Sequence, residues 1–140
     1  MKSYFKNLSL FAFFFLSVSA VTNVNAQTNT DPSQKVWEEV EVEASFPGGA
    51  VEWSKYITQA IMANQDKLKK GDFGTCIVKF IVDVDGNVRD VEATTMKRSR
   101  LAKVAIYAIS KGPKWNPAQQ NGKFVNAYRL QPITLTNPNR

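Results

Sequence analysis

The stretch GTCIVKFIVDVDGNV, from Gly74 to Val88, decides how this chain folds. Cys76, Val78, Phe80, Val82 and Val84 share one phase of a two-residue period, and Thr75, Ile77, Lys79, Ile81 and Asp83 share the other. The first set is wholly apolar, which predicts a strand with one face on a core. Asp85-Gly86 signals a hairpin turn, with Asn87 available to extend it, and Val88 to Thr95 returns as the partner strand. Asp83-x-Asp85-Gly86-Asn87 only superficially matches a calcium loop. Its glycine comes two residues early and its twelfth position is Thr94 instead of Glu, so it reads as a turn.

On either side of this unit the period changes to that of a helix. Upstream, Trp53, Tyr56, Ile57, Ala60 and Ile61 form one stripe and predict a helix from about Ala50 to Asn64. It opens after Phe46-Pro47-Gly48-Gly49, where proline presets φ and glycine tolerates a turn. Downstream, Ser99 is a candidate N-cap for a helix from Arg100 to Ser110, with Leu101, Val104, Ala105, Ala108 and Ile109 as its stripe; Gly112-Pro113 stops it. Asn121-Gly122 marks a further turn. Phe124 to Leu135 then reads as a last strand, apolar in both phases (Phe124, Tyr128 and Leu130 against Val125, Ala127 and Ile133). Two readings of that double phase stay open: a face that meets a partner, or a bulge near Pro132 that shifts register. Val36 to Ala44, where Val40, Val42 and Ala44 alternate with glutamates, predicts a short edge strand.

The order strand, helix, hairpin, helix, strand implies an α+β fold, with two helices on one face of a small three- to four-stranded antiparallel sheet. With 140 residues there is room for one domain, and the division is 1–26 signal peptide, 27–39 polar linker and 40–137 folded domain. Lys2 and Lys6 precede the uncharged run Leu8 to Val21, and Val24 and Ala26 occupy the −3 and −1 positions of a signal-peptidase site. The apolar run is shorter than the ~20 residues that cross a bilayer. A free periplasmic protein is the expectation, with an uncleaved anchor in the inner membrane as the alternative.

Composition removes much familiar chemistry. There is no histidine, which excludes Ser-His-Asp and Cys-His catalysis and His-ligated metals. Cys76 is the one cysteine, and its phase makes it a small core residue. The acids fall on turns and strand edges without a convergent pocket, so we expect neither an enzyme nor a cofactor, metal or small-molecule substrate. Charge is unevenly spread: Gln27 to Asn64 carries six acids against two lysines, whereas Gln65 to Arg140 carries 14 basic and six acidic residues. Lys97, Arg98, Arg100 and Lys103 cluster at the start of the second helix, where cations oppose the helix dipole. They form either a patch facing a partner or a solvated face. In an exported protein the partner of a basic half is an acidic protein or envelope surface, not nucleic acid.

Phe46-Pro47-Gly48-Gly49, the strand-Asp85-Gly86-strand unit, the alanine-rich second helix and PKWNPAQQNGK from Pro113 to Lys123, in this order, resemble the TonB C-terminal domain family in its Bacteroidetes-type form. The resemblance covers about Val40 to Leu135. It implies a periplasmic module that captures an extended segment of an outer-membrane TonB-dependent transporter as an added strand. The edge expected to receive it is Phe124, Val125, Asn126, Ala127, Tyr128, Arg129 and Leu130. Pro47, Gly48, Gly49, Asp85, Gly86, Trp115 and Pro117 are expected to shape turns and loops. The chain departs from full-length transducers in lacking a long proline-rich spacer, since Gln27 to Lys35 reaches only about 30 Å. An acid customary after the first helical leucine is replaced by Ala102. The alternative function is an envelope structural or regulatory protein whose basic half binds glycan, lipid headgroups or other proteins. Homodimer formation is left open.

Overall fold

The computed structural model describes residues 34–137. The signal-peptide segment and most of the expected linker lie outside the described residues. In chain order the elements are β1 (Val36–Trp37), α1 (Gly49–Met62), two 3-10 turns (Gln65–Lys67 and Lys70–Asp72), β2 (Gly74–Val82), β3 (Val88–Ala93), α2 (Arg100–Lys111), β4 (Ala118–Gln120) and β5 (Lys123–Leu135). None of the described helices is long and apolar enough to cross a membrane.

The strands form one five-stranded sheet in the order β1-β5-β2-β3, with β4 paired to β5. β2 runs antiparallel to β3 and β5, and β4 antiparallel to β5, whereas β1 is parallel to β5. The fold is α+β as expected, but the sheet is mixed and has more strands. The short β4 lies in the loop after Trp115, where no alternation announces it.

Period two holds in β2 for Cys76, Val78, Phe80 and Val82, which are fully buried, whereas Val84 lies beyond the strand's end and is exposed. They join Ala127 and Ile133 of β5, Trp53 and Ile57 of α1, and Leu101, Ala105 and Ile109 of α2 in one core. β5 pairs with β2 without a break from Ala127 to Leu135, so no bulge occurs at Pro132. Its odd residues face the helices, and its even residues (Tyr128, Leu130, Pro132, Thr134) lie on the opposite face. Burial near Val36–Ala44 departs from the expectation. Only Val36–Trp37 pairs as a strand, and it takes in residues assigned to the linker. The chain then bends at Glu38 and Glu39 and returns as isolated bridges, Val42 to Gln119 and Ser45 to Asn116.

The motif residues meet each other. Phe46, Trp53, Phe80 and Trp115 form an aromatic box with edge-on contacts, Phe46 to Trp115 at 5.6 Å and Phe80 to Trp115 at 5.0 Å between ring centroids. Such pairs add about 0.5–1.5 kcal/mol each beyond burial. The Trp115 N–H donates to the Gly86 carbonyl at 2.8 Å, and Asn116 and Ser45 exchange backbone hydrogen bonds of 2.8 and 3.0 Å. Gly86 is buried at φ 80°. A β-carbon there would overlap the Trp115 carbonyl oxygen. The nearby Asp83 carboxylate accepts the amides of Asp85 and Asn87 and the Asn87 side chain, so its oxygens serve the turn. Tyr56 closes the helix pair by donating to the Ala108 carbonyl at 2.8 Å.

Gly49 also has φ 80°, but nothing lies within 4 Å of a β-carbon built on it. Gly49→Ala should therefore cost only the left-handed backbone term, about 1–2 kcal/mol. Gly86→Ala adds the collision with Trp115 and should cost at least about 3 kcal/mol. Urea unfolding followed by tryptophan fluorescence checks both; equal losses would show that the turn does not depend on its approach to Trp115.

Candidate functional site

The expected docking strand is not an edge strand along its whole length. Lys123 to Val125 pair with β4, and Asn126 and Ala127 pair with β1. Four of the seven expected edge residues (Phe124, Val125, Asn126, Ala127) are therefore already flanked. The cause is the Asn121-Gly122 turn, which folds β4 back onto β5, together with the parallel return of the N-terminal segment. From Tyr128 onwards, the described strands pair with β5 on its β2 side alone.

The direction of the backbone groups on this stretch follows from β2. The Ile77 carbonyl accepts from the Thr94 amide (2.8 Å), and the Ile77 amide donates to the Thr95 hydroxyl (2.8 Å), both on the β3 side. Ile77 thus turns its backbone away from β5, and its register partner Pro132 turns away from β2. Alternation then aims the backbone of Tyr128, Leu130 and Thr134 outward too. Pro132, which has no N–H, sits where it costs β2 no hydrogen bond.

The side chains around this edge are mixed. Leu130 is 55% exposed and Phe124 58%. Lys79 places its ammonium 3.9 Å from the Tyr128 ring centroid. Arg129 is half-buried, pairs with Glu43, and leaves Nε without a partner. Glu38 and Glu39 line the same hollow as Tyr128, Arg129 and Leu130. At the opposite edge of the sheet, β3 carries Arg89, Asp90 and Glu92, has Asp90 at φ 55°, and shows a register shift against β2. Charge and irregularity of this kind discourage strand addition.

The four basic residues expected as a patch do lie together, with Lys97, Arg98 and Lys103 exposed. The 3-10 turns and the residue between them that caps the second add Lys67, Lys70 and Lys69 at the same end. Arg100 is partly structural, because its guanidinium donates to the Lys67 carbonyl. Sequence reasoning missed Asp72, which is 6% exposed. Its carboxylate accepts the Arg100 amide at 2.7 Å and the Lys69 amide at 2.8 Å. With Ser99, whose hydroxyl oxygen accepts the Ala102 amide at 2.9 Å, it caps a helix whose first turn has no acid. Ala102 is fully buried, and the carboxylate comes from Asp72, 28 residues before Arg100. Leu135 pairs with Gly74, two residues after Asp72, so the unflanked stretch of β5 runs towards this basic end.

The signature of one family, described as Gram-negative bacterial TonB protein C-terminal, matches residues 65–134, half of the chain. The chain belongs to this family. No curated protein and no solved structure matches it. TonB C-terminal domains are non-enzymatic protein-interaction domains of the Gram-negative envelope that serve energy transduction, and their partners are outer-membrane transporters. In this TonB C-terminal domain the matched part begins after α1. Phe46, Trp53 and Tyr56 nevertheless complete the core around Trp115, so α1 belongs to the same folded unit.

Burial alone would raise the Asp72 pKa, but hydrogen bonds from Lys69 and Arg100, together with the Arg100 charge, outweigh it and hold the pKa below 3.8. A lowered folded-state pKa contributes stability that is complete above the unfolded value and is lost as pH falls through the folded one. Asp72→Asn should cost about 1–3 kcal/mol at neutral pH. The difference from wild type should shrink as denaturation is followed below about pH 4. A difference that stays constant into strong acid would show that the charge is not what holds the cap.

Proposed function

We propose that this chain captures an extended segment of an outer-membrane TonB-dependent transporter by adding it as a strand along β5, from Tyr128 to Thr134. The observation that carries this reading is the outward set of backbone groups on that stretch, unflanked by any described strand beyond β1. Main-chain hydrogen bonds would supply the grip. Leu130, Tyr128 and the half-buried Arg129 would supply choice of partner. The cluster of Lys97, Arg98 and Lys103, at the end towards which the strand runs, would attract acidic surface around the docking segment and speed encounter. We place the mature protein in the periplasm, starting near Gln27 after cleavage of residues 1–26.

Fluorescent peptides from transporter plug domains, titrated against the full-length chain, test this reading. Leu130→Pro removes one outward N–H from the docking edge and, like Pro132, none from the β2 ladder. It should leave the fold intact by circular dichroism and weaken binding about 10-fold. Unchanged affinity would move docking elsewhere. Charge reversal at Lys97, Arg98 and Lys103, with Arg100 kept, should slow association several-fold at low salt and leave dissociation nearly unaltered. A rate that ignores both charge and salt would return these residues to a solvated face.

A further inference from the structure

β1 is an unusual strand for this sheet. It has two residues, it is the one parallel member, and it lies on the side of β5 that a visiting strand would need. Val36 pairs with Asn126 and Trp37 with Ala127. Ala127 is 1% exposed and small, and the Trp37 ring opposite it packs against the core with the Lys35 ammonium 3.6 Å from its centroid. Two pairs and one ring contact make a weak attachment. The glutamates that follow, Glu38 and Glu39, are exposed, lie in a bend outside the ladder and line the hollow beside Tyr128, Arg129 and Leu130.

We infer that Val36–Trp37 is a removable internal strand that holds a partner's place at the start of the docking edge, and that a captured segment displaces it. The inference rests on the docking reading for the importance of this edge, and it adds a competitor built into the chain. β1 pairs with Asn126 and Ala127 alone, so a segment confined to Tyr128–Thr134 need not displace its ladder pairs. A segment long enough to reach Asn126 must take the place of Val36–Trp37 and offer a large apolar side chain where Trp37 lies over Ala127. The chain's own segment thus sets a threshold, and only a partner with such a side chain gains the whole edge. When the binding-competent form is a minor fraction, apparent affinity falls by that fraction.

The test uses the full-length chain and two probes. One is a synthetic peptide of residues 34–41, QKVWEEVE; the other is the transporter peptide set. A double variant, Trp37→Cys with Ala127→Cys, spans neighbouring parallel positions whose spacing of about 4.8 Å suits a disulfide. Oxidised, β1 is locked in place; reduced, it is free and lacks its ring. Trp37→Ala provides the freed state without cysteines. We expect QKVWEEVE to bind the reduced double variant and Trp37→Ala at least about 10-fold more tightly than wild type, and to lose that gain on oxidation. Equal affinity in the oxidised and reduced forms, or no gain over wild type, would overturn the inference. Binding of transporter peptides to all forms alike, with no gain for QKVWEEVE in the freed forms, would leave the docking reading standing and the placeholder refuted. Gain for QKVWEEVE with no transporter peptide bound would leave the placeholder standing and the docking reading refuted.

Discussion

The rest of the structure depends on one close approach of backbone to backbone, between the turn at Gly86 and the loop at Trp115. The 2.8 Å hydrogen bond from the Trp115 amide to the Gly86 carbonyl joins the hairpin to the segment that leads into β4 and β5. It sets the Trp115 ring against Phe80, Phe46 and Trp53. Through Phe46 and the Ser45–Asn116 pairing, it also fixes where the chain enters α1. Three stretches far apart in sequence are thereby held by one small box of rings.

This arrangement explains which parts of the fold were legible in the sequence. Helix stripes and the β2–β3 hairpin are local, and Trp53, Ile57, Leu101 and Phe80 are buried where periodicity places them. Neighbour relations between strands are not local. A strand apolar in both phases, as from Phe124 to Leu135, looks the same to a period analysis whether it is central or an edge, so the flanking of Phe124 to Ala127 by β4 and β1 could not be read. Nor could the parallel pairing of Val36–Trp37, since two residues carry no period. Asp72 was hidden for a related reason: its role depends on folding against the Arg100 amide, which no spacing rule relates to it.

The basic cluster illustrates the difference between a sum of charges and a site. From sequence, cations at the start of α2 read as a cost to the helix or as an interaction patch. In three dimensions Asp72 and Ser99 satisfy the helix terminus from the protein side, and Arg100 is spent on the Lys67 carbonyl. Lys97, Arg98 and Lys103 are left facing solvent, joined by the lysines of the 3-10 turns. The helix no longer needs these cations absent.

Open sheet edges are an association hazard, and this sheet manages its two edges by different means. β3 is blunted by charge, by the left-handed Asp90 and by a register shift, devices that also exclude a wanted partner. β5 keeps regular geometry from Ala127 to Leu135, broken only by the missing N–H of Pro132. Regularity is what a docking strand requires, because each main-chain hydrogen bond must find its mate at the ladder spacing. An edge kept regular must be guarded by something that can leave. A permanent guard would have to be long or buried on both faces. β1 is two residues long and half-buried, and the bend after it releases the chain from the ladder. A cover this short shields Asn126 and Ala127 alone, at little cost in stability, and it yields to a partner that makes more of the ladder than it does.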